Sequence, residues 1–345
     1  MSNVTVLGID IAKHVFHLHG VDKRGECVFR KKTNRNKLLY LLEELPRCVV
    51  AMEACGSSNY WGRELTKLGF EVRLIPAQYV KPYLKSHKND WEDAAAIAEA
   101  CQRPHMRFVP VKSIEQQDIQ SVHRMRQRLV RARVALTNEI RGLLAEYGII
   151  MPQGILHVRR TLTDAIKSSH LSIQLRDCLR ELQDELLELS ARIKRFDEKI
   201  LAFARAYPLC LRLQKIEGIG PVTATALVAA IGDGRQFKNG RQCAAWLGLV
   251  PKQYSTGGKP RLGRMSKRGN IYLRSLLIQG AKNVVRYSKG KYDRKSLWVQ
   301  SLKERKGVNK TVVAVANKNA RIVWALMTQD KEFTRDYLPE FAQAA

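Results

Sequence analysis

Acidic residues are scarce in this chain. Its 345 residues hold 32 Asp and Glu against 60 Lys and Arg, a formal net charge of +28 and a sequence pI near 10.1. A deficit of that size points to a polyanion as partner, with nucleic acid the default. Long apolar runs are also missing. None reaches 18 residues, so no transmembrane span is predicted. The opening MSNVTVLGID lacks the charged start and apolar stretch of a signal peptide and reads as the beginning of a strand. No Cys-x-x-Cys pair occurs. The seven cysteines, at 27, 48, 55, 101, 178, 210 and 243, are widely spaced and mostly in apolar runs. They read as reduced core residues of a cytosolic protein, with neither a disulfide framework nor a zinc site. Apolar residues make up 45%, enough for real cores, so disorder over most of the chain is excluded.

The charge is not evenly spread. Residues 1–112 carry net +6, residues 113–207 net +4, and residues 208–345 net +18. Within 252–310 there are 17 basic residues and two acidic ones, Asp293 and Glu304. A solvated face of mixed sign would not be so one-sided, which favours contact with nucleic acid. The length fits two or three domains. We take 1–112, 113–207 and 208–330 as three blocks, followed by a loose tail at 331–345.

Alternating apolar patterns predict strands at 4–9, 15–21, 27–30, 48–54 and 71–75. Helices are expected from a cap at Asn34 to about Leu45, near 58–68, and from Asp90 to about Cys101. The order β-β-β-α-β-α-β-α describes a mixed sheet flanked by helices. In the middle block Leu175, Leu179, Leu182, Leu186, Leu189, Ile193, Phe196, Ile200 and Phe203 step by 4 and 3, a coiled-coil seam of about four heptads. A second apolar stripe runs from Val122 to Tyr147. Two long helices joined by a loop near 148–170 could pair within one chain or between chains. The third block reads as short helices separated by Gly-rich turns, with a last helix at about 308–328.

Four carboxylates stand out. Asp10 ends the first strand pattern and Glu53 the fourth; Asp90 and Asp93 share one face at the start of a helix. Carboxylates from strand ends and a helix start can converge on one edge of a sheet. At about 4 Å each pair would repel by roughly 4 kcal/mol, so protons or divalent cations must neutralise the cluster. Oxygen-only ligation suits Mg²⁺ or Mn²⁺. The plainer alternative makes Asp90 a helix cap, Asp93 a first-turn acid and Asp10 a turn residue. His14, His17 and His19 lie near Asp10; a polar strand face is the better reading of them than a ligand set.

Two further motifs lie in the basic block. Ile216-Glu217-Gly218-Ile219-Gly220-Pro221 joins two apolar helical stretches in the form of a helix-hairpin-helix. Gly218 and Gly220 would let backbone N–H groups approach a phosphate, unless the turn only joins helices. Residues 246–274 read WLGLVPKQYSTGGKPRLGRMSKRGNIYLR. There Ser255 and Thr256 precede a Gly pair, with Lys259, Arg261, Arg264, Lys267 and Arg268 close behind. A hydroxyl ringed by cations suits attack on a phosphodiester. On residue types alone, a loop that only grips backbone phosphate is the better reading.

Taken together, GID at Asp10, MEACG at Glu53, KNDWEDA at Asp90 and Asp93, IEGIG at 216–220 and LGLVPKQYSTGGKPRLGRMSKRGN at 247–270 resemble one family. They look like the DEDD transposases of the one-ten family of bacterial insertion sequences, nearest to its eleven-eleven subgroup. The resemblance implies an α/β, RNase H-like (RuvC-like) first domain in which Asp10, Glu53, Asp90 and Asp93 bind Mg²⁺, or Mn²⁺. It implies a coiled-coil middle block mediating assembly as dimers or tetramers. It also implies a mostly helical C-terminal domain whose serine links transiently to DNA. The implied partners are element-end and target DNA and a structured non-coding guide RNA, in the bacterial cytoplasm at the nucleoid. Many relatives place serine immediately before the first glycine; here that position is Thr256. Ser255 is taken as the nucleophile, with Thr256 still open. Two other readings remain: a RuvC-type metal-dependent junction nuclease without a covalent intermediate, and a nucleic-acid-binding scaffold with a decayed site.

Overall fold

The computed structural model describes residues 3–84, 89–329 and 332–334. The chain forms two compact units. One is Met1–Glu115 with Gly234–Lys238; the other is Gln116–Asp233 with the chain from Asn239 onward. The 331–345 tail lies almost wholly outside the described residues.

The first unit is built on strands β1 (Val6–Ile11), β2 (Val15–Val21), β3 (Cys27–Asn34), β4 (Val49–Glu53) and β5 (Glu71–Ile75), with helices α1 (Leu38–Glu43), α2 (Ser58–Lys67), α3 (Ala77–Val80) and α4 (Asp90–Cys101). The sheet order is β3-β2-β1-β4-β5. β1, β2 and β3 pair antiparallel, while β1, β4 and β5 run parallel. Period-two alternation assigns the faces. Leu7, Ile9, Phe16, Leu18, Val50 and Met52 point into one core with α1 and α2, around Leu42, Trp61 and Leu65. Ala51 and Ile75 point the other way, into a smaller core with Ile97 and Ala100 of α4.

One local expectation fails here. Asn34 does not cap α1. It ends β3, and its side chain accepts the Lys37 N–H at 3.0 Å, closing a turn ahead of a shorter helix. The backbone satisfies itself in that turn, so the helix begins four residues later.

The second unit opens with α5 (Ile114–Ala145), α6 (Ile155–Lys167) and α7 (Ile173–Ala206). The segment expected to be a loop near 148–170 contains α6, whose Val158, Leu162 and Ala165 form a buried stripe. Most of the apolar seam of α7 is covered within the chain. Leu179, Leu186, Leu189 and Ile193 share a core with Leu129, Leu136, Ile140 and Leu144 of α5 and with the α6 stripe. Then follow α8 (Pro208–Gln214), α9 (Pro221–Ile231), α10 (Gly240–Trp246), the two-stranded hairpin β6 (Pro251–Gln253) and β7 (Leu262–Met265), α11 (Ile271–Arg286), α12 (Arg294–Lys306) and α13 (Val308–Thr328). The hairpin replaces what the sequence reads as a Gly-rich connection between helices.

All seven cysteines are free thiols. Cys48, Cys101, Cys210 and Cys243 are buried, but Cys27, Cys55 and Cys178 are exposed and are not core residues. Among the described residues, no helix is long and apolar enough to cross a membrane.

His123 of α5 is a buried polar residue of this unit. Its Nδ1 lies 2.9 Å from the Tyr272 hydroxyl and its Nε2 lies 2.9 Å from Thr225 Oγ1. Thr225 donates its proton to the Pro221 carbonyl, so it accepts from Nε2–H, and Tyr272 donates to Nδ1. The ring is neutral and satisfied. Burial, aided by the nearby Arg126 charge, pushes its pKa down to about 4. An unfolded histidine takes up its proton near 6.5. Stability from this group is therefore complete above 6.5 and lost as pH falls from 6.5 to about 4. Urea titrations of wild type and His123→Asn should differ in slope there, the wild type losing about 3 kcal/mol more.

Gly8 of β1 lies under α4. A Cβ there would sit 2.3 Å from the Ala94 carbonyl oxygen and 2.7 Å from the Ala98 nitrogen, both backbone atoms. Gly8→Ala should push α4 off the sheet and destabilise this unit by about 1–3 kcal/mol in thermal or urea melts.

Candidate active site

Asp10 follows Gly8 by two residues and so projects from the same face of β1, beneath α4. Asn89 caps α4 by accepting the Trp91 N–H at 3.1 Å. With the cap position filled, Asp90 is the first helical residue and Asp93 lies one turn on, immediately before the Ala94 that rests on Gly8. The three carboxylates converge: one oxygen each from Asp10, Asp90 and Asp93 lie within 4.8 Å of one another. Asp10 and Asp93 are half-buried and Asp90 is exposed. The N-terminal dipole of α4 favours negative charge at both helix residues. Spacing and an all-oxygen donor set fit a hard divalent cation.

Glu53 stands apart from this group of three. It ends β4, one register step beyond the Ile9–Met52 pair, which sets it beside Asp10 on the same face. Cys55 reports their closeness. Its thiol pKa is raised by partial desolvation at this exposed site, then by the charges of Glu53 and Asp10.

The histidines separate. His14 is exposed. His19 is lowered by burial and by the Arg30 charge. His17 is the cross-strand partner of Asp10, and only 6% of its side chain is exposed. Its Nδ1 lies 3.7 Å from Asp90 Oδ2. The polar-face reading overlooked this burial, which Trp91 helps impose by packing edge-on against the imidazole at 4.6 Å.

In the second unit Gly218 and Gly220 lie in the turn between α8 and α9. Gly218 is pressed against α11. A Cβ on it would lie 2.8 Å from the Gly280 carbonyl oxygen, and one on Gly280 would lie 1.8 Å from the Gly218 oxygen. A Cβ on Gly220 would meet open space. The turn and α11 border a shallow cavity of about 530 Å³ that includes Lys215, Gln279 and Asn283.

Ser255 and Thr256 sit at the tip of the β6–β7 hairpin. Gly257 and Gly258 both have positive φ, +55° and +73°, and the Lys259 N–H closes the turn on the Thr256 carbonyl at 3.1 Å. That is the geometry of a primed two-residue hairpin turn. The Gly-Gly dipeptide was the signal for it in the sequence. Ser255 Oγ accepts from Gln253 Nε2 at 2.9 Å and from the Arg261 backbone N–H at 3.3 Å. Ser255, Thr256, Lys259, Arg261, Arg264, Lys267 and Arg268 are all exposed. The hairpin's base is held by Arg274, a buried cation on α11 that sequence reasoning missed. It donates to the Leu247 and Arg268 carbonyls at 3.2 and 3.1 Å.

A carboxylate cluster on an α/β sheet, joined in one chain to an exposed basic hairpin carrying hydroxyls, describes a DNA-processing enzyme of the DEDD transposase class. Residues 7–149 match the IS110-type DEDD transposase family and residues 210–296 match the IS116/IS110/IS902 transposase family. A probable family 20 transposase of Pseudomonas aeruginosa is 51% identical over 95% of this chain and 98% of its own length. The transposase for insertion sequence element IS1111A of Coxiella burnetii is 44% identical over 96% of this chain and 92% of its own. That for IS1328 of Yersinia enterocolitica is 39% identical over 97% and 100%. The chain belongs to the IS110/IS116/IS902 family of insertion-sequence transposases, enzymes that cut and rejoin DNA.

Arg274→Met would strip two carbonyls of a charged donor. It should lower stability by about 2–3 kcal/mol, and limited proteolysis should then cut within 251–265 sooner than in wild type.

Proposed function

We propose that this transposase cleaves and rejoins element ends through Ser255. In this reading Asp10, Glu53, Asp90 and Asp93 hold Mg²⁺, and a structured non-coding RNA guides target choice. The convergence of Asp10, Asp90 and Asp93 carries the reading. The sheet order, three antiparallel strands followed by two parallel ones, supports an RNase H-like first domain. The blocks 1–112, 113–207 and 208–330 would then be a catalytic domain, an assembly domain and a serine-bearing domain. Exposed Val134, Leu187 and Leu201 on α5 and α7 offer apolar surface for pairing copies into dimers or tetramers.

Ser255 is favoured over Thr256 on two grounds. Its primary hydroxyl is less hindered, and its oxygen is already held by two donors. Attack by Oγ on phosphorus would form a serine phosphodiester, releasing the hydroxyl proton and expelling a deoxyribose oxygen that is then protonated. Rejoining is the reverse displacement by a hydroxyl of the other strand. Lys259, Arg261, Arg264, Lys267 and Arg268 would hold the phosphates, as would the backbone at Gly218 and Gly220. A divalent cation on the carboxylates, when bound, would neutralise charge on a phosphodiester. Guidance by RNA fits a chain with much phosphate-binding charge and no evident base-reading module.

The test is to incubate the full chain with Mg²⁺, element-end and target DNA and the element's RNA, then map any protein–DNA adduct by mass spectrometry. An adduct at Ser255 is expected. Ser255→Ala should abolish adduct and exchange while DNA binding persists, and Asp10→Asn should lower exchange by about 10²-fold or more. An adduct at Thr256 would move the nucleophile by one place. Metal-dependent cut ends without adduct would replace this mechanism with that of a nuclease.

A further inference from the structure

His17 lies beside the carboxylates, in a place the transposase motifs do not account for. Its side chain is 94% buried, and its Nδ1 has no hydrogen-bond partner. A buried ring nitrogen left without a partner destabilises a fold, so such atoms are rarely kept without a use. The nitrogen faces Asp90 Oδ2 at 3.7 Å, beyond hydrogen-bond length by about half an ångström.

The two partners differ in freedom. The imidazole is fixed. It is clamped in β2 opposite Asp10, and Trp91 packs edge-on against it at an interplanar angle of 73°. Trp91 is fixed in turn by Arg30, whose guanidinium carbon lies 4.5 Å over the indole ring. Asp90 is the opposite case, with 63% of its side chain exposed. A small rotation of the Asp90 carboxylate therefore closes the gap, whereas the ring has no comparable freedom. His17 is not among the three residues whose ligand atoms converge. The geometry thus favours contact through Asp90 over direct ligation.

We propose that His17 is a positioning residue of the carboxylate site: its Nδ1–H donates to one oxygen of Asp90 and so turns the other oxygen toward a divalent cation shared with Asp10 and Asp93. Histidine and carboxylate exchange these roles in many metal sites, where the outer partner orients the ligand. The inference rests on the reading of these carboxylates as a cation site. It explains why a buried strand residue is a histidine, and why a tryptophan directly follows the first helical aspartate.

The test is Mn²⁺ binding to the full chain, read from the EPR signal of free Mn²⁺. Four proteins are compared: wild type, His17→Phe, His17→Asn and His17→Gln. The Asn amide nitrogen falls near the position of Nδ1 and can donate; the Gln amide reaches toward Nε2 instead. His17→Phe and His17→Gln should weaken binding by about 10-fold or more, and His17→Asn should stay within about 3-fold of wild type. In an Asp90→Asn background, His17→Phe should add little further loss. Unchanged affinity in His17→Phe would overturn the proposal, as would Asn and Gln variants that weaken binding equally. The Asn–Gln comparison keeps it falsifiable should His17→Phe fail to fold, which circular dichroism would reveal. A wild type that binds no Mn²⁺ would overturn the cation-site reading and this inference together.

Discussion

The backbone of α4 rests directly on the sheet at Gly8, and the carboxylate site follows from that contact. Any side chain at this position would collide with the Ala94 carbonyl and the Ala98 nitrogen. Because the contact is backbone on backbone, the start of α4 is brought close to the end of β1. Asp93 precedes Ala94 by one residue, and Asp10 follows Gly8 by two. Their convergence is thus set by a missing Cβ rather than by attraction between the acids, which repel. Small residues extend the same logic along the helix: Ala94, Ala96, Ala98 and Ala100 are all buried. An α4 with larger residues at these places would stand further from the sheet, and the three carboxylates would not converge.

The repulsion is moderated by local features. Asp90 and Asp93 occupy the first turn of α4, where the helix dipole favours anions. Asn89 takes the capping role, which leaves both carboxylates free of that duty. The Cys55 thiol pKa is raised first by partial burial and then by the Glu53 and Asp10 charges, in keeping with negative charge at the end of β4. A concentrated negative field inside a chain of net +28 is a local departure from its overall balance, and a cation is the simple way to relieve it.

Much of this was legible in the sequence. The five strands and α4 follow from alternation and from the Asn-Asp start, since one face of each inner strand is buried and the other meets a helix. The carboxylates were legible because they fall at element ends. Most of what escaped notice has a physical cause. The β6–β7 hairpin is exposed on both faces, so no apolar alternation marks it, and only its Gly-Gly turn gives it away. α6 does carry a stripe at helical spacing, Val158, Leu162 and Ala165, which reading 148–170 as a loop passed over. His17 looks like any polar strand residue until Trp91 and α4 close over it. Arg274 reads as one more cation of a basic block, because its burial depends on backbone carbonyls that no side-chain pattern records.

The second unit solves a different problem. A hydroxyl proposed to react with a large polymer would have to be open to it, yet held the same way at each encounter. The hairpin is exposed along its length, so packing cannot hold it. Its shape comes instead from hydrogen bonds: the turn closed on Thr256, the Ser255 oxygen bound by Gln253 and Arg261, and the base fastened by Arg274. No Asp or Glu occurs between Asp233 and Asp293 in the sequence, and Asp293 itself caps α12. The cations around the hydroxyls therefore have no acidic neighbours along that stretch to neutralise them. An incoming phosphodiester would be the natural counter-charge for these exposed cations.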